Sequence, residues 1–195
     1  MIVNLISWEY CEPLLELKAE EKTFTELLIF SCSAEIETYT DRMLKQRQLR
    51  ELRDGFKQDE IILRQYPVKE ITSLKVDKNR DYAEETLIPP DYYSCRIPGE
   101  NDDKEQKSEI ILADGFSFPR GKNNIEIIYT AGYAEDQIPE PIKTATLELV
   151  EWTMKRLKNH QIGEVNLKYG NTTKIATKIP DHVLELITPY KRKNW

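Results

Sequence analysis

At 195 residues the chain suits one domain with some elaboration. Such a length buries roughly 70% of its unfolded surface, so a core needs no disulfide or metal staple. Charged residues make up 32% and no run of about 18 uncharged apolar residues exists, which excludes a membrane-spanning helix. A net charge of −6 argues against a dedicated DNA binder, whose affinity comes from neutralising phosphates.

The N-terminus MIVNLISWEY lacks a basic n-region and a long apolar core, so the expectation is a chain made and kept in a cytosol. Pro13 sits where a first-turn proline would open a short helix through Leu14, Leu15 and Leu17. Thr23-Phe24-Thr25-Glu26 reads as a capping box. Phe24, Leu28, Cys32, Ile36, Tyr39 and Met43 then lay one apolar stripe along a helix of about 20 residues. Glu35, Glu37, Asp41 and Arg42 fall off or beside it. Asp54-Gly55 punctuates the charged stretch RQLRELRDG, which extends the helical part over 12–55.

From Glu60 the period shortens. IILRQYPVKEITSLKV is β-branched and aromatic, with Pro67 marking an edge or turn. Tyr92–Ile97, Glu109–Leu112 and Asn124–Thr130 are further candidate strands, and Ile125, Ile127 and Tyr129 share one face of the last. Helical spacing resumes at Pro141, where Ile142, Ala145, Leu149 and Trp152 are widened by Leu147, Val150, Met154 and Leu157. A helix apolar over so much of its girth is buried on several sides, inside a bundle or between subunits. Gly163 ends it, Pro180 opens a last helix, and Pro189 with the basic KRK tail closes the chain. The fold class expected is α+β, mainly helical: a helical bundle with a small antiparallel β module inserted between N-terminal and C-terminal helices. One domain spans 1–195, helical over 12–55 and 139–192, β-rich over about 60–131, with a basic tail at 190–195.

Chemistry-bearing constellations fail one by one. Cys11, Cys32 and Cys95 form no C-x-x-C and read as buried free thiols. His160 and His182 lack partners at ligand spacing. Asp77-Lys78-Asn79-Arg80-Asp81 imitates a calcium loop but has Tyr82 where glycine must turn and Ile88 where a bidentate Glu is needed. Arg120-Gly121-Lys122 lacks the other elements of a phosphate loop. No catalytic, cofactor-binding or metal residue is assigned, no cofactor is implied, and the chain is not expected to be an enzyme.

Five segments, in order, resemble a known family. Ser31-Cys32-Ser33-Ala34-Glu35-Ile36-Glu37-Thr38-Tyr39-Thr40-Asp41-Arg42 resembles the A-S-x-x-I-E-x-Y-T-x-R helix of the head–tail connector, or head-completion adaptor, proteins of long-tailed bacteriophages. Tyr66–Leu74 is similar to that family's P-V-x-x-I-x-S-V strand. Asn124–Tyr133 is similar to its N-I-x-V-x-Y-T-A-G-Y strand and turn. Ile138-Pro139 with Ile142–Val150 resembles the next helix, and Ile179–Leu184 with Pro189–Arg192 the closing I-P-x-x-V-x-x-L-x-x-Y-R. Each motif alone is ordinary core and turn; five in order are specific. The acidic loop 99–109 and the segment 155–178 depart from the pattern.

The resemblance implies a non-enzymatic ring subunit, typically of twelve copies. It would stack under the portal protein, contact a tail-side completion or stopper protein, and continue a channel through which DNA passes without specific binding. It implies the head–tail neck of a virion or prophage-derived particle, with synthesis in a bacterial cytoplasm and no membrane. Signature positions carried over are Ile36, Glu37, Tyr39, Arg42, Tyr129, Gly132, Tyr133, Pro180 and Tyr190. Gly132 is expected to supply a positive φ or a close approach. Lys191, Arg192, Lys193 and Trp195 are candidates for docking on an acidic portal surface, and the broad helix 141–158 for a contact between subunits. The alternative is a nucleic-acid-binding packaging or regulatory protein, resting on the bases at 168–195 and the run Lys45–Arg53.

Overall fold

In the computed structural model, which describes residues 4–96, 108–158 and 179–192, Ser7 starts the first helix. Helix α1 spans Trp8–Leu14, and the Ser7 hydroxyl accepts from the Tyr10 amide at 3.3 Å. That bond satisfies one of the amides a helix start leaves orphaned. Pro13 therefore does not open a helix; it lies in the last turn, and α1 stops just beyond it. Helix α2 spans Lys22–Thr40 and grows out of a 3-10 turn at Ala19–Glu21. The Lys18 amide donates to the Glu21 carboxylate at 3.0 Å, so Thr23 and Glu26 fall inside the helix and are not its cap. Asp41, left-handed at φ 53°, ends α2.

The stretch Arg47–Gly55 is strand β1, which corrects the expected helix over 12–55. It pairs antiparallel with the long strand β6 (Gly121–Ala131), from Arg47 opposite Ala131 to Gly55 opposite Gly121. Gln48, Arg50 and Leu52 are exposed, while Leu49, Glu51 and Arg53 between them are covered. Pairing and this two-residue alternation outweigh the helix preference of Arg, Gln, Leu and Glu. The other strands are β2 (Glu60–Ile62), β3 (Val68–Val76), β4 (Tyr93–Arg96) and β5 (Glu109–Leu112).

Two three-stranded antiparallel sheets result, ordered β1-β6-β3 and β2-β5-β4. They enclose one core, in which Leu63, Leu74, Ile110, Phe118, Ile125, Ile127 and Tyr129 are buried. Among the described residues 42% are helical and 27% strand, with four α-helices beside the two sheets. The expectation of a mainly helical bundle carrying a small β module is thereby overturned: strand pairing begins at Arg47, not Glu60, and the strands build a core of their own.

By contacts the chain divides into two units. One takes the described residues of 1–42 and 137–192; the other takes those of 43–136. The helical unit contains α1, α2, α3 (Glu140–Lys158) and α4 (Asp181–Ile187), the last preceded by Pro180 and followed by a 3-10 turn at Thr188–Tyr190. Its core joins Leu28, Ile29, Cys32 and Ile36 of α2 to Ile142, Leu149, Val150 and Met154 of α3 and Val183 and Ile187 of α4. The apolar girth of α3 is thus largely spent inside its own unit. Trp152 is half-covered, with the Arg156 guanidinium 4.3 Å from its ring centroid. None of the helices in the described residues is long and apolar enough to cross a membrane. The acidic loop at 99–107, the segment 159–178 with His160, Gly163 and three of the clustered lysines, and Lys193 and Trp195 lie outside the described residues.

Candidate functional site

Residues far apart in sequence meet where α2 ends. Arg42 follows the left-handed Asp41 and is only 2% exposed. A buried guanidinium needs acceptors to offset its lost hydration. Its Nη1 donates to the Tyr190 carbonyl at 3.2 Å. The Arg192 amide donates to the Thr40 carbonyl at 2.7 Å, which occupies one of the orphan carbonyls at the end of α2. The Arg192 guanidinium forms an ion pair with the Asp41 carboxylate. One turn back, the Tyr39 and Thr188 hydroxyls share a hydrogen bond of 3.1 Å, and Lys191 Nζ lies 5.0 Å from the Tyr39 ring centroid. Tyr39, Arg42, Tyr190, Lys191 and Arg192 therefore form one cluster that fastens residues 188–192 to α2.

The remaining signature positions serve elsewhere. Ile36 and Glu37 are buried along α2, and Pro180 precedes α4 as its N-cap. Tyr129, Gly132 and Tyr133 belong to the other unit. The Tyr129 hydroxyl donates to the Glu51 carboxylate at 2.7 Å and accepts from the Gln65 amide at 3.3 Å. Burial, with the Glu51 charge beside it, pushes this phenol far above its ordinary range. Arg53 and Arg64 approach the same carboxylate at 3.4 and 3.7 Å. Gly132 has φ +101°, and a Cβ there would come within 2.7 Å of the Lys45 carbonyl carbon. Three backbone bonds surround it: Gly132 to the Pro67 carbonyl at 2.9 Å, Tyr133 to Leu44 at 2.7 Å and Gln46 to Tyr133 at 2.8 Å.

These arrangements hold segments together, and the Tyr129 hydroxyl that sits on the Glu51 carboxylate belongs to a residue buried at 1% exposure. Among the described residues no group of three or more His, Cys, Asp or Glu could hold a metal ion. His182 lies 3.7 Å from Glu148 on the surface. The Asp77 carboxylate, which imitated the start of a calcium loop, accepts the amides of Asn79, Asp81 and Tyr82 at 2.8, 2.9 and 3.0 Å, led by the Asn79 bond in holding its carboxyl below the ordinary range. Burial pushes the Cys11 thiol up to about 11 and Cys32 up to about 12, and no disulfide links the three cysteines. Asp41, the partner of Arg192, carried no signal of its own in the sequence; its place after a helix and before Arg42 gained meaning only when the C-terminal segment came back to it.

A family model described as "Head completion protein" matches residues 4–193. Among curated proteins none matches the sequence. The fold is similar to a chain of the neck of an empty GTA particle computed with C6 symmetry, at 17% identity and a TM-score of 0.64, covering 100% of this chain and 91% of that one. A chain in the virion of a native gene transfer agent (GTA) particle has 18% identity and a TM-score of 0.60, covering 97% of this chain and 94% of that one. A chain of the neck of a native GTA particle computed with C12 symmetry has 19% identity and a TM-score of 0.56, covering 100% of this chain and 97% of that one. At such identities the likeness concerns the fold.

Proposed function

The chain belongs to the head completion protein family, and from that membership we propose that it is a structural subunit of the neck of a tailed, phage-like particle. The observation that carries this reading is the family match, which runs through both units from residue 4 to 193. In this role the chain joins head to tail and makes or breaks no covalent bond. Copies stand side by side as a ring, of twelve in this reading, between a portal protein and a tail-side protein. DNA passes through without being held: a net charge of −6 repels phosphates, where a basic lumen would retain them. The symmetry of the GTA necks similar in fold supports the ring.

The cluster at the end of α2 sets how the tail could take part. Arg192 is already paired with Asp41, so its charge is partly neutralised within the chain. Lys191, exposed above the Tyr39 ring, is better placed to meet an acidic portal surface, with Lys193 and Trp195 following it. For the nucleic-acid-binding alternative, four of the six clustered bases at 168–195 lie outside the described residues, and the run Lys45–Arg53 is neutralised in part within the chain. Of the run Lys45–Arg53, Arg50 is ion-paired with Glu126 at 2.6 Å and Arg53 with Glu51 at 3.4 Å.

The test is omission. Particles assembled without this chain should accumulate as filled heads and separate tails, and adding the purified protein should join them. Normal tailed particles in its absence would discard the reading.

A further inference from the structure

Helix α2 carries apolar side chains on two faces. One face builds the core of the helical unit. On the opposite face Phe24, Leu27 and Phe30 are 39%, 64% and 46% exposed. Steps of three place them on one stripe, and Glu26 and Glu35, both exposed, fall to either side of it. Residues 1–40 contain eight acidic and two basic side chains, a balance of −6 that equals the net charge of the whole chain. The stripe therefore lies on an acidic segment, in which Lys22 stands 4.0 Å from Glu26 and Lys158 pairs with Glu21, while exposed Glu35 has no lysine of this segment within ion-pair distance. Contiguous apolar surface of this kind marks a place that another body covers.

A second exposed apolar pair lies on a segment of the opposite sign. Leu52, on the outer face of β1, is 36% exposed, and Phe56, just past the end of that strand, is 67% exposed. Residues 45–57 contain five basic and two acidic side chains. The Arg50 side chain keeps 59% of its surface exposed even while paired with Glu126, and Lys57 is exposed beside Phe56. β1 is also an edge strand of its sheet. A third apolar surface, a groove of about 400 Å³ lined by Leu87, Pro89, Tyr92 and Phe116, has exposed Glu84, Glu85, Asp91 and Asp114 as sequence neighbours of its lining. An acidic helix face is repelled there and attracted to β1, so charge selects between the two.

We propose that the Phe24–Leu27–Phe30 stripe of one copy packs on Leu52 and Phe56 of the next copy, with Glu26 and Glu35 facing Arg50 and Lys57. The two surfaces differ, so every copy offers one of each, and the contact repeats head to tail until the rotation closes. This rests on the ring reading above and names the interface that reading needs.

Leu27→Asp and Phe56→Asp test it, since both side chains are exposed and unchanged thermal melts would show the fold intact. Sedimentation velocity of the full chain, alone and with portal, reads the outcome. Each variant should weaken self-association at least about tenfold. An equal mixture of the two should form 1:1 dimers and nothing larger, because one sound interface remains between unlike partners. Glu26→Lys and Lys57→Glu should each weaken association, and the double variant should recover it. Association of the wild-type chain that neither aspartate variant alters would overturn the interface while leaving the ring standing. Loss with Leu27→Asp but not with Phe56→Asp would also overturn it, and would give the α2 face to the groove or to another protein. A wild-type chain that stays monomeric at all concentrations and around portal would remove the ring and its interface together.

Discussion

Replacing Gly132 with alanine separates two costs that a glycine can hide. Gly132 and Gly115 both have positive φ, +101° and +86°. At Gly115 an added Cβ would meet nothing within 4 Å, whereas at Gly132 it would lie 2.7 Å from the Lys45 carbonyl carbon, 2.8 Å from its oxygen and 2.9 Å from the Gln46 nitrogen. Backbone atoms cannot rotate away as a side-chain tip can. Gly115→Ala should therefore cost only the left-handed penalty, about 1–2 kcal/mol. Gly132→Ala should cost that and more, because the 44–46 segment must move. Its movement strains the Tyr133–Leu44 and Gln46–Tyr133 bonds, worth about 0.5–1.5 kcal/mol each. The total comes to about 2–5 kcal/mol. Urea melts followed by circular dichroism measure both variants in one buffer. Equal losses would refute the close approach and leave φ alone as the reason for glycine.

Other expectations follow from burial and charge. Ile36→Ala, at a fully buried site, should cost about 2–5 kcal/mol in thermal melts, while Tyr39→Ala and Trp152→Ala, at half-covered sites, should cost about 1–2 kcal/mol. Losses from the aromatics as large as that from Ile36 would show they are core. The folded-state carboxyl of Asp77 lies below its unfolded value of about 3.9, so its stabilisation is complete above that pH and is lost as pH falls through the lower folded value. Asp77→Ala should lower the melting temperature at pH 6 and flatten its decline below pH 4, and parallel pH curves for the two proteins would contradict this. Cys11 and Cys32, buried and with thiols raised to about 11 and about 12, should stay unlabelled by a thiol reagent at pH 8. Half-covered Cys95 should react first, and all three should react in guanidinium.

Sequence pattern carried some elements and failed at others for physical reasons. β5 and the centre of β6 were legible because Ile110, Ile111, Ile125, Ile127 and Tyr129 are β-branched or aromatic and bounded by turn residues. β1 was not, because Arg, Gln, Leu and Glu prefer helix and only the partner strand makes them extended. α1 was misplaced because Pro13 drew attention from Ser7, a cap that a single serine announces weakly. Phe24 sat at helical spacing with Leu28 and Cys32, yet α2 has apolar residues around most of its girth, so one chosen stripe could not reveal which face the neighbours would cover. The cluster at the end of α2 depends on a contact between Arg42 and Tyr190, 148 positions apart, and no local pattern reports a burial of that kind.

Reconstruction of the assembled particle at side-chain resolution addresses the structural role head on. Copies of this chain should form a closed ring at the junction of head and tail, with a continuous bore along its axis. Density for the chain in the capsid shell or along the tail tube, with the junction built from other proteins, would contradict the account.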